Sequence, residues 1–187
     1  MLASTSTSAR VRASDRALAP TSDAVLVASA KSGDRAAFAT LFRRLRPLVH
    51  GIALARGPVQ DAEDIVQEVF AVALERLAGL GDDAAVSAWI AAITRNLIVD
   101  RRRRSRPTSG EVDDLPDGRA ASDQILEARR VLAVIQTLPE AYRETLVLRL
   151  VEGMSGPEIA AVVGLTPESV RVNLHRGMKL LKEALGR

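Results

Sequence analysis

The chain is expected to be all-α, built as two small helical domains on a flexible linker. Three observations predict this. Of its 187 residues, 47% are hydrophobic but only 3% aromatic, and that reliance on small and aliphatic side chains favours helices over sheets. Apolar residues recur at spacings of three and four along most of the chain, the period of an amphipathic helix. One segment, residues 105 to 123 (SRPTSGEVDDLPDGRAASD), breaks the period with two prolines and two glycines and divides the chain.

Composition also excludes several classes of function. No apolar run approaches the roughly 20 residues that span a bilayer, and the opening MLASTSTSARVRASDRA lacks the apolar centre of a secretory signal. A cytoplasmic location is expected. The chain has no cysteine, so disulfides, thiolate zinc sites and cysteine nucleophiles are excluded. Two separated histidines make no histidine-rich metal site, and no metal or cofactor is expected. An enzymatic reading has little to stand on, because no Gly-rich phosphate loop follows a strand and no nucleophile has a base beside it. The net charge of +3 is small, which leaves the distribution of charge as the informative quantity.

Residues 1–22 are rich in Ser, Thr, Ala and Arg without periodicity and read as a disordered, weakly basic arm. A first domain, 23–104, begins with DAVLVASAKSG, a short helix ended by Gly33. DRAAFATLFRRLRPLVHGIALARG forms a longer one, with Phe38, Leu41, Phe42, Leu45, Leu48 and Ile52 facing inward and Pro47 at a position that can kink it. His50 stands there without a second catalytic group and reads as a packing residue. After the breaker pair Gly57 and Pro58 comes a helix with two opposed stripes. Val66, Val69, Phe70, Ala73 and Leu77 make the buried one, while Asp61, Asp64, Glu68 and Glu75 fall within about 60° of one another on the other. Acids early in a helix complement its dipole; the same ridge suits a basic helix of a protein partner. A Gly and Asp turn follows, in which Ser87 is expected to cap the next helix.

That helix, WIAAITRNLIVDRRRRSR, carries Ile90, Ile93 and Leu97 on its buried side and Trp89, Asn96, Asp100 and Arg103 on an adjacent stripe. An aromatic ring, an amide and a guanidinium in line suit unstacked bases and phosphates. The run Arg101, Arg102, Arg103 and Arg104 is equally compatible with a solvated helix end favoured by the dipole. The linker 105–123 holds, from Glu111 to Asp123, five acids against one arginine, a composition that keeps a segment extended by self-repulsion.

The second domain, 124–187, opens with the helices QILEARRVLAVIQT and PEAYRETLVLRLVEG. The most specific local pattern follows. Ser155 and Glu158 have capping-box spacing with Pro157 between them, Gly164 marks a tight turn, and Thr166 with Pro167 starts a longer helix. This is the order of a helix-turn-helix, whose second helix enters the major groove. Val170, Leu174, Gly177 and Leu181 face inward, leaving Arg171, His175, Arg176, Lys179 and Lys182 outward. A helical hairpin with a solvated basic face shares the pattern.

Taken in order, DAEDIVQEVF, WIAAITRNLIVDRRRR and LPEAYRETLVLRLVEGMSGPEIAAVVGLTPESVRVNLHRGMKLL make the chain resemble a bacterial RNA polymerase sigma factor of the small, extracytoplasmic-function (ECF) type, over about residues 23 to 185. The resemblance implies sigma region 2 in the first domain, sigma region 4 in the second, and function by binding rather than catalysis. Asp61, Asp64, Gln67 and Glu68 would contact core RNA polymerase. Trp89 and Asn96, with the loop from Gly79 to Ser87, would meet the minus-ten element of promoter DNA, and Arg101 to Arg104 its backbone. Ser169, Arg171, Val172, His175, Arg176 and Lys179 would lie at the minus-thirty-five element. An anti-sigma factor is implied as a further partner. Val172, Asn173 and Met178 depart from the commonest family form, which predicts two altered or lost contacts at that element. The alternative is a free-standing helix-turn-helix regulator with an unrelated N-terminal domain. Nothing in the sequence sets the relative orientation of the two domains.

Overall fold

The structure, a computed structural model, describes residues 21–104 and 123–186, with side chains described from Leu126 in the second stretch. Eight α-helices are present among them, in the order α1 (Asp23–Lys31), α2 (Arg35–Arg56), α3 (Ala62–Arg76), α4 (Val86–Arg104), α5 (Asp123–Thr137), α6 (Glu140–Leu150), α7 (Gly156–Val163) and α8 (Pro167–Ala184). Short 3-10 turns occupy Val59–Asp61, Leu77–Gly79 and Asp83–Ala85, and no strand occurs among the described residues. The all-α expectation holds. The arm expected at 1–22, apart from its last two residues, and all but the last residue of the 105–123 linker lie outside the described residues.

Helix α2 organises the first group, packing against α1, α3 and α4. Asp34 starts it by accepting from the Ala36 and Ala37 amides, and it runs continuously through Pro47 to Arg56, so the possible break there does not end the helix. Leu41, Leu45, Leu48, Val49 and Ile52 are buried on its inner face against Ile65, Val66, Val69 and Phe70 of α3 and Ile90, Leu97 and Ile98 of α4. Phe42 and Phe70 add a tilted ring contact at 4.5 Å. The end of α1 is tied to the segment before α4 by Lys31, whose Nζ donates to Leu80 O and Asp83 Oδ1, both at 2.5 Å. The start of α4 differs from the expectation. Asp82, not Ser87, supplies the cap, accepting from the Ala84 amide at 2.9 Å, and Ser87 lies within the helix. A carboxylate four residues upstream of Val86 starts a 3-10 turn that leads straight into α4, so no hydroxyl cap is needed.

In the second group α6 packs on α5, α7 and α8. Ile135, Leu138, Leu146, Leu148, Ile159, Val170 and Leu181 are buried. The two groups also pack together, through α2 with α5 and α6 and through α4 with α7. Gln136 of α5 reaches across and donates from Nε2 to the carbonyls of Leu54 and Gly57, at 2.8 and 3.0 Å. These carbonyls at the end of α2 have no helical amide to accept from, so a side chain from the other half serves as their cap.

Candidate nucleic-acid and protein interfaces

On α3 the apolar stripe and the acidic stripe separate as their spacing requires. Asp64 and Gln67 are exposed, Asp61 and Glu68 half-buried. Asp61 lies in the 3-10 turn that enters α3. Asp64 has no side-chain partner among the described residues, whereas Glu68 does: Arg101 Nε and Nη2 both donate to its Oε2, at 2.9 and 2.5 Å. One candidate polymerase contact and one candidate DNA contact are therefore paired with each other. Arg46 holds Glu63 nearby at 2.5 Å.

Helix α4 divides its predicted stripe. Asn96, Asp100 and Arg103 are exposed, but Trp89 is half-buried against the core. Arg102, Arg103 and Arg104 project into solvent without an ion pair among the described residues, at the end of the helix where the dipole favours cations. The segment from Gly79 to Ser87 sits on the same side as the second group. Ala84, Ala85, Ser87 and Ala88 line a cleft whose opposite wall includes Glu158 and Ala161 of α7.

The predicted helix-turn-helix forms from its own caps. Ser155 Oγ accepts from the Glu158 amide, and the Ser155 amide and hydroxyl both donate to Glu158 Oε2, at 2.7 and 2.6 Å. Those bonds from Ser155 hold the Glu158 carboxyl below the usual glutamate range. Gly164 closes α7 at φ 71°, the left-handed region that a side chain disfavours. Thr166 caps α8 by accepting from the Ser169 amide at 3.2 Å. Ser169 therefore belongs to the start of the helix, with its hydroxyl taken up by Thr166 Oγ1 at 3.0 Å. Arg171, Val172, His175 and Arg176 line a shallow outward depression; Lys179 is exposed beyond it, 3.9 Å from Glu183.

Two of the residues that depart from the commonest family form make contacts within the protein. Asn173 turns inward, its Nδ2 donating to Ala141 O at 3.2 Å, and Met178 packs against the core. Both side chains are half-buried, and Asn173 thereby joins α8 to α6. Val172, at 40% exposure, remains on the outward side.

Sequence reasoning passed over a charge cluster between the two groups. Glu144 of α6 is buried, and it accepts from Arg56 Nε of α2 at 2.8 Å and from Arg95 Nη2 of α4 at 2.5 Å. Arg56 also pairs with Glu140, and Arg95 Nη2 donates to Val162 O at 3.3 Å. Burial pushes the Glu144 carboxyl up, but the bonds from Arg95 and Arg56 more than offset this and hold it below the usual glutamate range. Burial acts to lower Arg56, and Glu144 with Glu140 reverses this and raises it. His50, read as a packing residue, is also an inter-group contact, 2.7 Å from Glu152 through Nδ1. Among the described residues there is no acidic or histidine group that could hold a metal ion, and no helix is long and apolar enough to cross a membrane.

A helix-turn-helix joined to a helical unit with one acidic and one arginine-rich face is the architecture of a sigma-70 protein. The model for sigma-70 region 2 matches residues 41–108, and that for sigma-70 region 4 matches residues 128–181. The chain is 33% identical to the RNA polymerase sigma factor CnrH of Cupriavidus metallidurans, over 87% of this chain and 94% of that one. It is 32% identical to the ECF RNA polymerase sigma factor SigM of Mycobacterium tuberculosis, over 88% and 85%. A probable RNA polymerase sigma factor, RfaY of Xanthomonas campestris, is 35% identical over 89% of this chain, which spans 46% of that longer protein. Among solved structures, CnrH in complex with the cytosolic domain of CnrY matches with a TM-score of 0.63 at 30% identity, covering 88% of this chain and 97% of that one. The chain belongs to the ECF group of RNA polymerase sigma factors. The likeness extends over both halves, which a free-standing regulator with an unrelated N-terminal domain does not predict.

Proposed function

We propose that the chain binds core RNA polymerase through α3, directs it to promoters through α4 and α8, and acts by binding without turnover in the cytoplasm, where polymerase works. Region 2 is assigned to 23–104 and region 4 to 124–187, with 105–123 as the linker. The observation that carries this is the presence, on adjacent helices of one unit, of an exposed acidic face and an exposed run of arginines. Asp61, Asp64, Gln67 and Glu68 form the polymerase contact. Asn96 and the segment from Gly79 to Ser87 meet an unpaired base of the minus-ten element, and Arg101 to Arg104 meet its backbone, supplying affinity with little sequence information. Trp89 supports this surface from behind. Arg171, Val172, His175 and Arg176 read the minus-thirty-five element, Lys179 adds a phosphate contact, and Ser169 positions the helix. CnrH is seen with the cytosolic domain of CnrY, and a protein partner of anti-sigma type is proposed here as well.

The test uses Asp61→Arg with Asp64→Arg, which reverses the acidic face without disturbing the Glu68–Arg101 pair. The variant is expected to lose core polymerase binding and run-off transcription while keeping its helical content. Normal initiation by this variant would remove the α3 assignment.

A further inference from the structure

The base-holding role given to residues 79–87 asks for a fixed shape, and the segment has little of its own to fix it. Gly79 and Gly81 flank Leu80, and a Cβ at either would meet nothing within 4 Å, so neither position is held by packing. The Leu80 side chain is buried and Asp82 bonds to the Ala84 amide at 2.9 Å, but the first anchors one residue and the second one turn. Among the described residues, Lys31 is the one side chain from outside the segment that hydrogen-bonds to it. Its Nζ lies 2.5 Å from both Leu80 O and Asp83 Oδ1. One ammonium thus spans the turn, holding it before Gly81 and after Asp82.

The anchor itself is well fixed. Lys31 is the last residue of α1, and the turn behind it is held by backbone bonds from Ser32 to Ala28, from Gly33 to Ala30 and from Asp34 to Ser29. Gly33, at φ 94°, lets the chain make that turn, and Asp34 then starts α2. Helix α1 also packs against both 3-10 turns that border the segment, Leu77–Gly79 and Asp83–Ala85. Lys31 and Asp83 are 24% and 30% exposed. At such exposure an ion pair adds little to global stability, so its effect is on local shape. An ammonium carries three donors on one atom, which lets it bond a carbonyl and a carboxylate that come from different residues. Gly81, Asp82 and Ala84 meanwhile stay exposed, open to a base.

We propose that Lys31 is a positioning residue for minus-ten recognition: by gripping Leu80 O and Asp83 it sets the shape in which residues 79–87 receive the unpaired base. Lys31 acts through the segment, not on the base, and its role rests on the reading of that segment as base-holding. A loop ordered before binding has less conformational freedom to lose when the base arrives. A base held by a fixed shape is also distinguished from its competitors better than one held by a loop that adapts. Removing the ammonium therefore loosens discrimination at one base position and leaves phosphate contacts and polymerase binding as they were.

The test uses holoenzyme assembled from core polymerase and the full-length chain, with a promoter found by run-off transcription as the probe. Its minus-ten element is substituted base by base and the relative affinities are measured. A wrong base at a well-read position costs roughly 5- to 150-fold. Lys31→Met, which keeps most of the side-chain length and removes its donors, should bring that ratio close to unity at a single position, with the other positions, polymerase affinity and helical content unchanged. Lys31→Arg, which can donate to both acceptors again, should restore it. Asp83→Ala should weaken preference at the same position, and adding it to Lys31→Met should change nothing further, as expected of residues that act as a unit. Full discrimination at every position with Lys31→Met would overturn the proposal, as would an equal loss at all positions, the mark of a merely structural role. Should Lys31→Met lose helical content, Asp83→Ala decides: a flattened preference at one position upholds the proposal, and an intact one overturns it. Ala84→Glu, which puts a carboxylate on the exposed side of the segment, separates the two levels. If it weakens base capture while Lys31→Met changes nothing, only the role of Lys31 falls; if neither variant alters any base preference, the segment does not hold the base and the reading beneath falls with it.

Discussion

At the scale of single residues, the Glu68–Arg101 pair is the most consequential contact on the two candidate surfaces. Both side chains are about one-third exposed, 39% and 31%, so the pair contributes about 0–1 kcal/mol to stability. Arg101→Gln should therefore leave the urea midpoint nearly unchanged. The same substitution should weaken DNA binding by the polymerase complex evenly across promoter sequences and lower the salt slope by about one. The role proposed for Asn96 is narrower. Asn96→Ala is expected to slow promoter opening, measured by permanganate footprinting, while polymerase affinity stays the same; a loss of that affinity would make Asn96 structural. The exposure of Asn96 and of Arg102 to Arg104 was legible from helical spacing alone. The inward turn of Asn173 was not, because its bond to Ala141 depends on how closely α6 lies beside α8.

At the scale of elements, α7 and α8 show why local sequence was so informative. Each device that starts or ends them acts within a few residues: Ser155 with Glu158, Gly164 at φ 71°, and Thr166 with Ser169. Gly164→Val would force a branched side chain into the left-handed region at a cost of about 1–3 kcal/mol, read as a lower midpoint for the region 4 half and loss of transcription from promoters that need the minus-thirty-five element. The capping box also has a pH signature. Glu158 is held below its ordinary value by Ser155, so its contribution is present above the ordinary glutamate pKa of about 4.3 and is lost as pH falls through the lowered value. Ser155→Ala should abolish that acid sensitivity along with the cap. The start of α4 was misplaced for a related reason: Asp82 and Ser87 both have cap chemistry, and which one acts depends on the 3-10 turn between them.

Across the whole molecule, the inter-domain contact was invisible in the sequence. Arg56 and Glu144 are 88 residues apart, Arg95 and Glu144 are 49 apart, and none belongs to a local pattern that marks it. Periodicity reveals which face of a helix is buried but not which distant helix covers it. The cluster predicts a definite response to acid. Glu144 faces Arg56 and Arg95, with Glu140 beside Arg56, and its carboxyl is held below the usual range. Its stabilisation is complete above about pH 4.3 and disappears as pH falls through the lowered value. Small-angle scattering of the free chain should accordingly show a constant radius through neutral pH and expansion only in acid, and Glu144→Gln should remove that step.

The bond from Gln136 to the carbonyls of Leu54 and Gly57 gives this rearrangement a vibrational marker. When the halves separate, those two carbonyls exchange an amide donor for water, and hydration shifts the stretching band of a peptide carbonyl. An isotope-labelled carbonyl at Leu54 would thus report opening from within the backbone, with every side chain and every charge left in place.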